Sequence, residues 1–426
     1  MSAPPRPDTS GPPPAPSAAI WSRLARLLPD SRAGRILALN ALVSSTGSGL
    51  FLAGSIIYFT AVVGLSAVQV GVGLSVASAV GFATTVPLGR MADRFGARRM
   101  LVLLTGWRAV GYVAYLFATD FWQFLLVACL LYIADHGAPP INQALVGALF
   151  DGPQRTRTMG FVRAVRNAGL TVGFGLAGFA LADGSTMVFR LLFLGNAASF
   201  VISCLLILLL PRVTPRRPDR GADEEPPPNR PPIRDPRYVT VTAGNGVLML
   251  HSTVLLVVLP VWLSQHTTAP TWFLTVLLTV NTVLTVMTQV PVTRFADTLA
   301  KAGPASLVSG LLLLLACLLF AGTTAVESQL SVGLILAAAV VALTAGEVLH
   351  SAASWQVSFD LAPAEGQGRY LAFFHLGLSA EEIVGPAAAL WLLSTTGAVS
   401  WLLLGAVFLA AGILVHRTVR AGESPG

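Results

Sequence analysis

Long apolar segments recur along almost the whole chain and constrain its fold more than any other feature. Of the 426 residues, 54% are hydrophobic and only 11% are charged. Soluble domains carry about 25% charged residues, so lipid must solvate most of this chain. We predict about twelve membrane-spanning helices, near 36–63, 68–91, 99–119, 121–149, 159–182, 187–210, 238–264, 270–294, 304–325, 329–356, 370–395 and 398–417.

A polar stretch divides these segments into two groups of six. Residues 211–237 are rich in Pro and contain seven Arg, which predicts a solvated linker. We therefore expect an N-terminal six-helix bundle over 36–210 and a C-terminal one over 238–417. Residues 1–35 predict a disordered Pro-rich tail followed by a short interfacial helix, and residues 418–426 predict a second tail.

The positive charges predict how the chain is oriented. If the N-terminus is cytoplasmic, the cytoplasmic segments contain all of the 27 Lys and Arg residues except Arg108 and Arg190. Because Lys and Arg accumulate in cytoplasmic loops, we expect both termini and the linker in the cytoplasm. Lys301 is the only lysine, and this preference for Arg is typical of a GC-rich bacterial genome. The expected location is thus the inner membrane of a bacterial cell.

Two short sequences repeat between the halves. Residues 86–93 (VPLGRMAD) recur as 290–297 (VPVTRFAD), at an offset of 204. Residues 157–161 (RTMGF) are echoed by 369–373 (RYLAF). The alternative to a repeat is chance similarity among helices rich in Val and Ala. Since both echoes occupy matching places in the topology, we expect two parallel six-helix halves.

The turn between the second and third spans (residues 89–99, GRMADRFGARR) carries one Asp and four Arg. Its pattern resembles the signature that members of the major facilitator superfamily carry at this place. The matching residues are Gly89, Asp93, Arg94, Gly96, Arg98 and Arg99. The resemblance covers about residues 36–417 and implies an all-α membrane protein of two six-helix bundles related by a pseudo-two-fold axis.

The resemblance also implies a role for this turn. Asp93 would cap the start of the eleventh helix and hold the halves together on the cytoplasmic side. A carboxylate is stabilised beside a helix N-terminus, and we expect Arg98 and Arg99 to hold it from the other side. The alternative is that these charges only determine topology. The repeat at 290–303 keeps Asp297 but lacks the glycines and the Arg pair, so the full latch belongs to the first half.

Two further stretches resemble the drug-efflux branch of that family. One is residues 362–386, in the tenth-to-eleventh helix region. The other is the glycine run at 169–178 in the fifth span, where Phe174 stands in place of an expected Pro. A glycine-rich helix face is equally explained by close helix packing.

Ionisable residues inside the membrane are costly and often functional. The candidates for proton coupling are Asp135, Glu381, Glu382, Arg108, Arg166 and Glu347. We expect an ion pair between Arg108 and Asp135. A variant of this expectation adds Arg166 as a third member of the group. Glu381 and Glu382 point about 100° apart on a helix, so one should face a central cavity while the other packs against a neighbour. A purely structural role is the alternative for all of them.

Polar residues in the other spans are candidates for a substrate path, and each could instead form a helix–helix hydrogen bond. They are Asn40, Asn142, Gln143, Asn245 and Asn281. The chain shows no catalytic constellation in a suitable context and no metal-ligand spacing. We therefore expect no enzyme activity, no cofactor and no metal, with a proton gradient as the driving force.

The expected function is secondary active transport by alternating access, most concretely the proton-coupled efflux of drug-like or lipophilic compounds. The alternatives are a metabolite or sugar carrier of the same fold, and a membrane sensor or assembly partner that transports nothing. The expected partners are a small-molecule substrate and the lipid bilayer, with the chain as a monomer. Nucleic acid is not expected, because the basic residues are dispersed over short loops.

Overall fold

The structure, a computed structural model, describes residues 31–181, 186–212, 231–270 and 272–421. The predicted N-terminal tail and interfacial helix, most of the linker and the end of the C-terminal tail lie outside the described residues. The described part contains thirteen α-helices: α1 Arg32–Ile57, α2 Ala67–Phe95, α3 Ala97–Ala114, α4 Phe121–Leu149, α5 Gly152–Leu181, α6 Thr186–Leu208, α7 Pro236–Thr253, α8 Leu259–His266, α9 Phe273–Val292, α10 Leu299–Gly322, α11 Gln329–Asp360, α12 Gln367–Thr396 and α13 Val399–Arg420.

Twelve membrane-crossing segments result from these helices. A π-helical turn, Val254–Val258, joins α7 to α8, so the two form one crossing. Eleven segments are long and apolar enough to span a bilayer. The remaining helix, α5, is less apolar because it carries four arginines, yet its 30 residues pack against α1 as a further crossing. These twelve crossings match the predicted number of about twelve membrane-spanning helices.

Side chains in the turns define several helix starts. Ser66 and Gln69 form a reciprocal capping box at the start of α2. Asp120 accepts hydrogen bonds from the backbone N–H groups of Trp122 and Gln123, and so caps α4.

Several helices extend a turn beyond the predicted spans, as α2 does to Phe95. Hydropathy marks only the lipid-embedded part of a helix, whereas its backbone hydrogen bonds continue into the polar boundary.

Small residues allow the helices within each bundle to approach closely. A Cβ atom at Gly173 in α5 would lie 2.2 Å from the Thr46 carbonyl oxygen of α1. In the second bundle, a Cβ atom at Gly310 in α10 would lie 2.8 Å from the Phe408 carbonyl oxygen of α13. The first part of the glycine run at 169–178 thus serves helix packing, while Gly175 and Gly178 face open space.

The two bundles meet mainly near one end of the molecule. We call this the basic end; it holds the turns at 90–99, 150–157, 293–301 and 360–369. The contacts there join α2 and α4 of the first bundle to α12, and α5 to α9. We call the other end of the molecule the opposite end; it holds the turns near Asp120, Glu327 and Gly397.

Candidate functional site

Asp93, in the last turn of α2, caps the first turn of α12 in the other bundle. Its Oδ1 accepts a hydrogen bond of 2.6 Å from the backbone N–H of Gly368, and its Oδ2 accepts one of 3.0 Å from that of Arg369. The N-cap residue of α12 is Gly366, which has no side chain to bind these groups. A carboxylate therefore satisfies the free N–H groups of α12 from across the bundle interface, where the helix dipole also favours negative charge.

Glycine on both helices makes this approach possible. A Cβ atom at Gly89 would lie 2.6 Å from Ala372 Cβ and 2.7 Å from the Gly368 carbonyl oxygen. A Cβ atom at Gly368 would lie 2.6 Å from Asp93 Oδ1. Any side chain at either position would push α2 away from α12 and lengthen the hydrogen bonds of Asp93.

The arginines of the signature turn do not hold Asp93, so the expectation for Arg98 is wrong. Arg98 Nε donates a 3.2 Å hydrogen bond to the Ile207 carbonyl oxygen, and its Nη2 donates to that of Leu208. These carbonyls lie at the C-terminus of α6, where the helix dipole favours a cation. Arg94 and Arg99 are exposed. Gly96 joins α2 to α3 with φ +93°, a conformation that favours glycine.

A charged group deeper between the bundles joins α5 to α11. Arg163 Nη2 lies 2.8 Å from Glu347 Oε1, and Arg163 also donates to the Ser351 hydroxyl. The second oxygen of Glu347 accepts a 3.0 Å hydrogen bond from Asn281 of α9. Glu347 and Asn281 are buried, so each charge of this pair has a partner where water is scarce.

Further polar contacts extend this junction between the mid-membrane region and the basic end. Gln143 of α4 donates a 2.7 Å hydrogen bond to Ser358 Oγ and lies 3.2 Å from the His375 ring. Arg155 lies 2.5 Å from Asp360, and Thr156 donates to Gln356. His136 Nδ1 lies 3.1 Å from Ser379 Oγ at mid-membrane. Together with the Asp93 cap and the Arg163–Glu347 pair, we call these contacts the cross-bundle seal.

Two charged side chains remain exposed about one helical turn beyond this seal, on the side of the opposite end. Arg166 follows Arg163 by three residues, and Glu382 follows Ser379 by three. Residues three apart share a helix face, so both point toward the interface between the bundles. Glu382 lies within electrostatic range of Tyr132 across that interface, and Arg166 within range of His375. Their exposure indicates a solvent-accessible space between the bundles on this side of the seal, with Arg166 and Glu382 at its floor.

The remaining candidates lie inside one bundle or the other. Arg108 Nε lies 2.5 Å from Asp135 Oδ1, as expected, and the guanidinium stacks 4.1 Å from the Phe200 ring. Within the described residues Arg166 forms no ion pair and so does not join them. Glu381 is buried and accepts a 2.6 Å hydrogen bond from the Thr253 hydroxyl. The adjacent glutamates therefore do face different surroundings, with Glu382 as the exposed one.

The five amide side chains proposed for a substrate path do not line a common path in this conformation. Gln143 and Asn281 belong to the cross-bundle seal and its support. Asn245 is buried beside His350, where only a very small cavity remains. Asn40 and Asn142 are half-buried on separate helices.

The sequence analysis did not identify Arg155 and Asp360 as functional residues. Both lie at helix ends near the basic end, and their opposite charges are the only feature of the sequence that could have suggested a pair. Nothing in the sequence pairs them, because 205 positions separate them.

Comparisons with known proteins agree with this arrangement. The family model of the Major Facilitator Superfamily matches residues 37–380, and the chain belongs to this family. The "Multidrug resistance protein MdtH" of Klebsiella pneumoniae is 28% identical over 368 residues, which cover 82% of this chain and 85% of that protein. Membership of a transporter family confirms the predicted fold class and the expectation that the chain is not an enzyme.

Solved structures show the same fold at low sequence identity. A bacterial homologue of the iron transporter ferroportin, in an outward-facing state, superposes with a TM-score of 0.69 at 16% identity, covering 93% of this chain and all of that one. The proton:xylose symporter XylE superposes with a TM-score of 0.63 at 14% identity, covering 89% and 94%. The chain is thus a multi-pass membrane transporter with the fold of this superfamily.

Proposed function

We propose that this chain exports small lipophilic or drug-like compounds in exchange for protons, by rocking of the two bundles. The observation that carries the proposal is the pair of exposed charges, Arg166 and Glu382, directly beyond a closed cross-bundle seal. A compound bound there has access to one side of the membrane only. Opening the seal would give access to the other side, which is what alternating access requires.

The direction of transport follows from the proposed orientation. The basic end collects the Arg-rich turns, so we place it in the cytoplasm. The space beyond the seal then opens outward, as expected after a compound has been released. The name of the MdtH relatives, multidrug resistance proteins, supports drug-like compounds as the substrates.

Carboxylates near the floor are the proposed proton carriers. Glu382 is exposed to the outward space, where it can take up a proton. Glu381 and Asp135 are the other candidates, but each is already held, by Thr253 and Arg108 respectively. A neutral Glu382 no longer attracts a cationic compound, so protonation from outside would favour its release. The proton gradient would then be the driving force, without a bound cofactor, in a monomer within the bilayer.

A metabolite carrier is the second candidate, and Arg166 favours it. A guanidinium exposed in the transport space binds carboxylates and phosphates well, because it presents its N–H donors in a planar fork. An anionic metabolite would be held at Arg166 and would place its charge away from Glu382.

Inside-out membrane vesicles test the proposal directly. They should accumulate lipophilic cations when their interior is acidified, and a protonophore should abolish the accumulation. Glu382→Gln should reduce accumulation to the level seen without a gradient, because the exchanged proton has lost its carrier. Glu327→Gln, at the exposed turn before α11, is the matched control and should transport like the unaltered chain.

Other outcomes would contradict the proposal. Accumulation of anions alone would replace it by the metabolite carrier. Failure to move any compound in a broad panel, by a folded and correctly inserted protein, would favour the sensor or assembly role. Gradient-driven transport that survives Glu382→Gln would move the proton carrier to Glu381 or Asp135.

A further inference from the structure

A cavity of about 950 Å³ opens on the lipid-facing side of the second bundle, at the basic end. It lies between α9, α10 and α11. Helix α9 packs against α11 and against α5 of the first bundle, and this leaves a gap toward α10. Aliphatic side chains form most of the wall: Leu284, Val292, Val308, Leu312, Val341 and Val348. The volume is at the upper end of the range typical of ligand pockets.

The wall offers almost nothing for a polar ligand or for water to bind. Thr288 and Thr344 supply hydroxyls, but these donate to carbonyl oxygens of their own helices, at 2.7 Å each. From Lys301 to Leu312 the cavity follows α10 for roughly 16 Å, at about 1.5 Å per residue. An elongated and mostly apolar space beside the bilayer is wide enough for a hydrocarbon chain and offers it the contacts it prefers.

The mouth of the cavity is positively charged. Arg294 is exposed and lies against the Phe295 ring, 4.7 Å from its centre, without a carboxylate partner among the described residues. The Lys301 side chain is 54% exposed, and its ammonium lies 2.7 Å from Asp297. Two cations and one carboxylate leave a net positive charge where the phosphates of the adjacent leaflet lie.

We propose that this cavity binds an anionic glycerophospholipid, such as phosphatidylglycerol, with one acyl chain between α9 and α10 and its phosphate at Arg294 and Lys301. Basic sites between helices on the cytoplasmic side are suited to such headgroups. Bound there, the chain would support α9 in its position against α5. The Thr344 hydroxyl in the wall accepts a hydrogen bond from Asn281, which also holds Glu347, so the site adjoins the seal.

Lys301 provides the test, because it is the only lysine in the chain. The full-length protein is placed in nanodiscs of phosphatidylcholine, with or without phosphatidylglycerol, and the rate of reductive methylation of Lys301 is followed by peptide mass spectrometry. Phosphatidylglycerol should slow methylation about fivefold, the factor that corresponds to about 1 kcal/mol for one cation at an anionic lipid.

The variants separate the site from general surface charge. Arg294→Gln should lose the difference between the two lipids, whereas Arg294→Lys should keep it. Arg90→Gln, at the repeat-related position of the first bundle, should also keep it, since a general attraction would depend on both arginines equally. A phosphatidylglycerol with a photoreactive acyl chain should label peptides that contain Val308 or Val341.

Three results would overturn the proposal. Equal methylation rates in both lipids would exclude a bound anionic headgroup. Protection that survives Arg294→Gln would assign the effect to the membrane surface. Equal protection by inorganic phosphate in phosphatidylcholine alone would mean that a free anion, and not a lipid, occupies the mouth.

Discussion

The C-terminal ends of α2 and α9 carry almost the same sequence, yet the aspartates of the two copies make different contacts. Residues 86–93 and 290–297 share Val, Pro, Arg, Ala and Asp at the same spacing. Asp93 reaches across the interface to the backbone of α12. Asp297 lies 2.7 Å from Lys301, four residues later in the first turn of α10 of the same bundle. One carboxylate joins the two bundles, and the other forms an ion pair within its own bundle.

Local backbone geometry explains the difference. Helix α2 stays α-helical to Phe95, so Asp93 keeps the helical face that Gly89 shares. Helix α9 ends at Val292 and tightens into a 3₁₀ turn at Thr293–Phe295, so Asp297 follows the helix instead of lying on it. Thr293 takes the place of Gly89 in the second copy. Here the glycine lies on the facing helix of the other bundle, because a Cβ atom at Gly160 of α5 would lie 2.8 Å from the Thr293 methyl.

This contrast teaches that an Asp in the repeated sequence is not sufficient for a cross-bundle cap. The cap also needs a glycine one turn earlier, which lets the partner helix approach, and a helix that continues to the Asp. Only the first turn has both.

A cysteine reporter can follow the closure of the basic end. Ala144 is buried against Phe359 and Leu371 of the other bundle. Ala144→Cys, in a chain whose three native cysteines are replaced by serine, should react with a maleimide only when the bundles separate there. Cysteine is small and apolar enough to fit this site.

Gly89→Val should have the largest effect on this reporter. The added side chain overlaps Ala372 and the Gly368 carbonyl, and overpacking of this kind costs about 1–3 kcal/mol. If the closed state alone bears that cost, maleimide labelling should become about 5- to 150-fold faster. Thr293→Val is the matched control in the other turn and should leave the rate unchanged. Equal acceleration by both variants would remove the distinction between the turns.

Breaking the Arg155–Asp360 pair should have a smaller effect. The pair joins the bundles at 2.5 Å, but Asp360 is exposed to solvent. Exposed ion pairs contribute about 0.2–1 kcal/mol, so Arg155→Gln or Asp360→Asn should accelerate labelling less than about fivefold. The double variant should match either single one. A larger effect than that of Gly89→Val would make this pair, and not the Asp93 cap, the main closure.

Arg98→Ala should have the smallest effect and should leave the reporter unchanged. Arg98 binds the C-terminus of α6 within the first bundle, a contact that we expect to contribute about 0.3–1 kcal/mol. The thermal midpoint in detergent should therefore fall by at most about 2 °C. Faster labelling without a change in the midpoint would show that Arg98 does act on Asp93.

Much of the fold could be predicted because lipid imposes a simple pattern. Apolar length located the spans, and α4 has the predicted bounds of 121–149. The Arg108–Asp135 pair could also be predicted, since two opposite charges at similar depth on adjacent helices have few other partners. The opposite environments of Glu381 and Glu382 followed from the 100° step of the helix.

Contacts that depend on distant backbone groups could not be predicted. The partners of Arg98 are carbonyl oxygens at the end of α6, and a sequence does not show which helix end lies nearby. The roles of Gln143 and Asn281 in and beside the cross-bundle seal depend on how the two bundles are tilted toward each other in this closed state.

Comparing Asp93→Asn with Asp297→Asn in the cysteine reporter tests the central claim most directly. The amide can accept only one of the two hydrogen bonds and carries no charge for the start of α12. Hydrogen bonds to charged groups exceed neutral ones by about 1–1.5 kcal/mol, so Asp93→Asn should speed labelling about tenfold. Asp297→Asn should leave it unchanged. Labelling of Asp93→Asn at the rate of the unaltered protein, or equal acceleration by both variants, would contradict a cap that closes the basic end through Asp93.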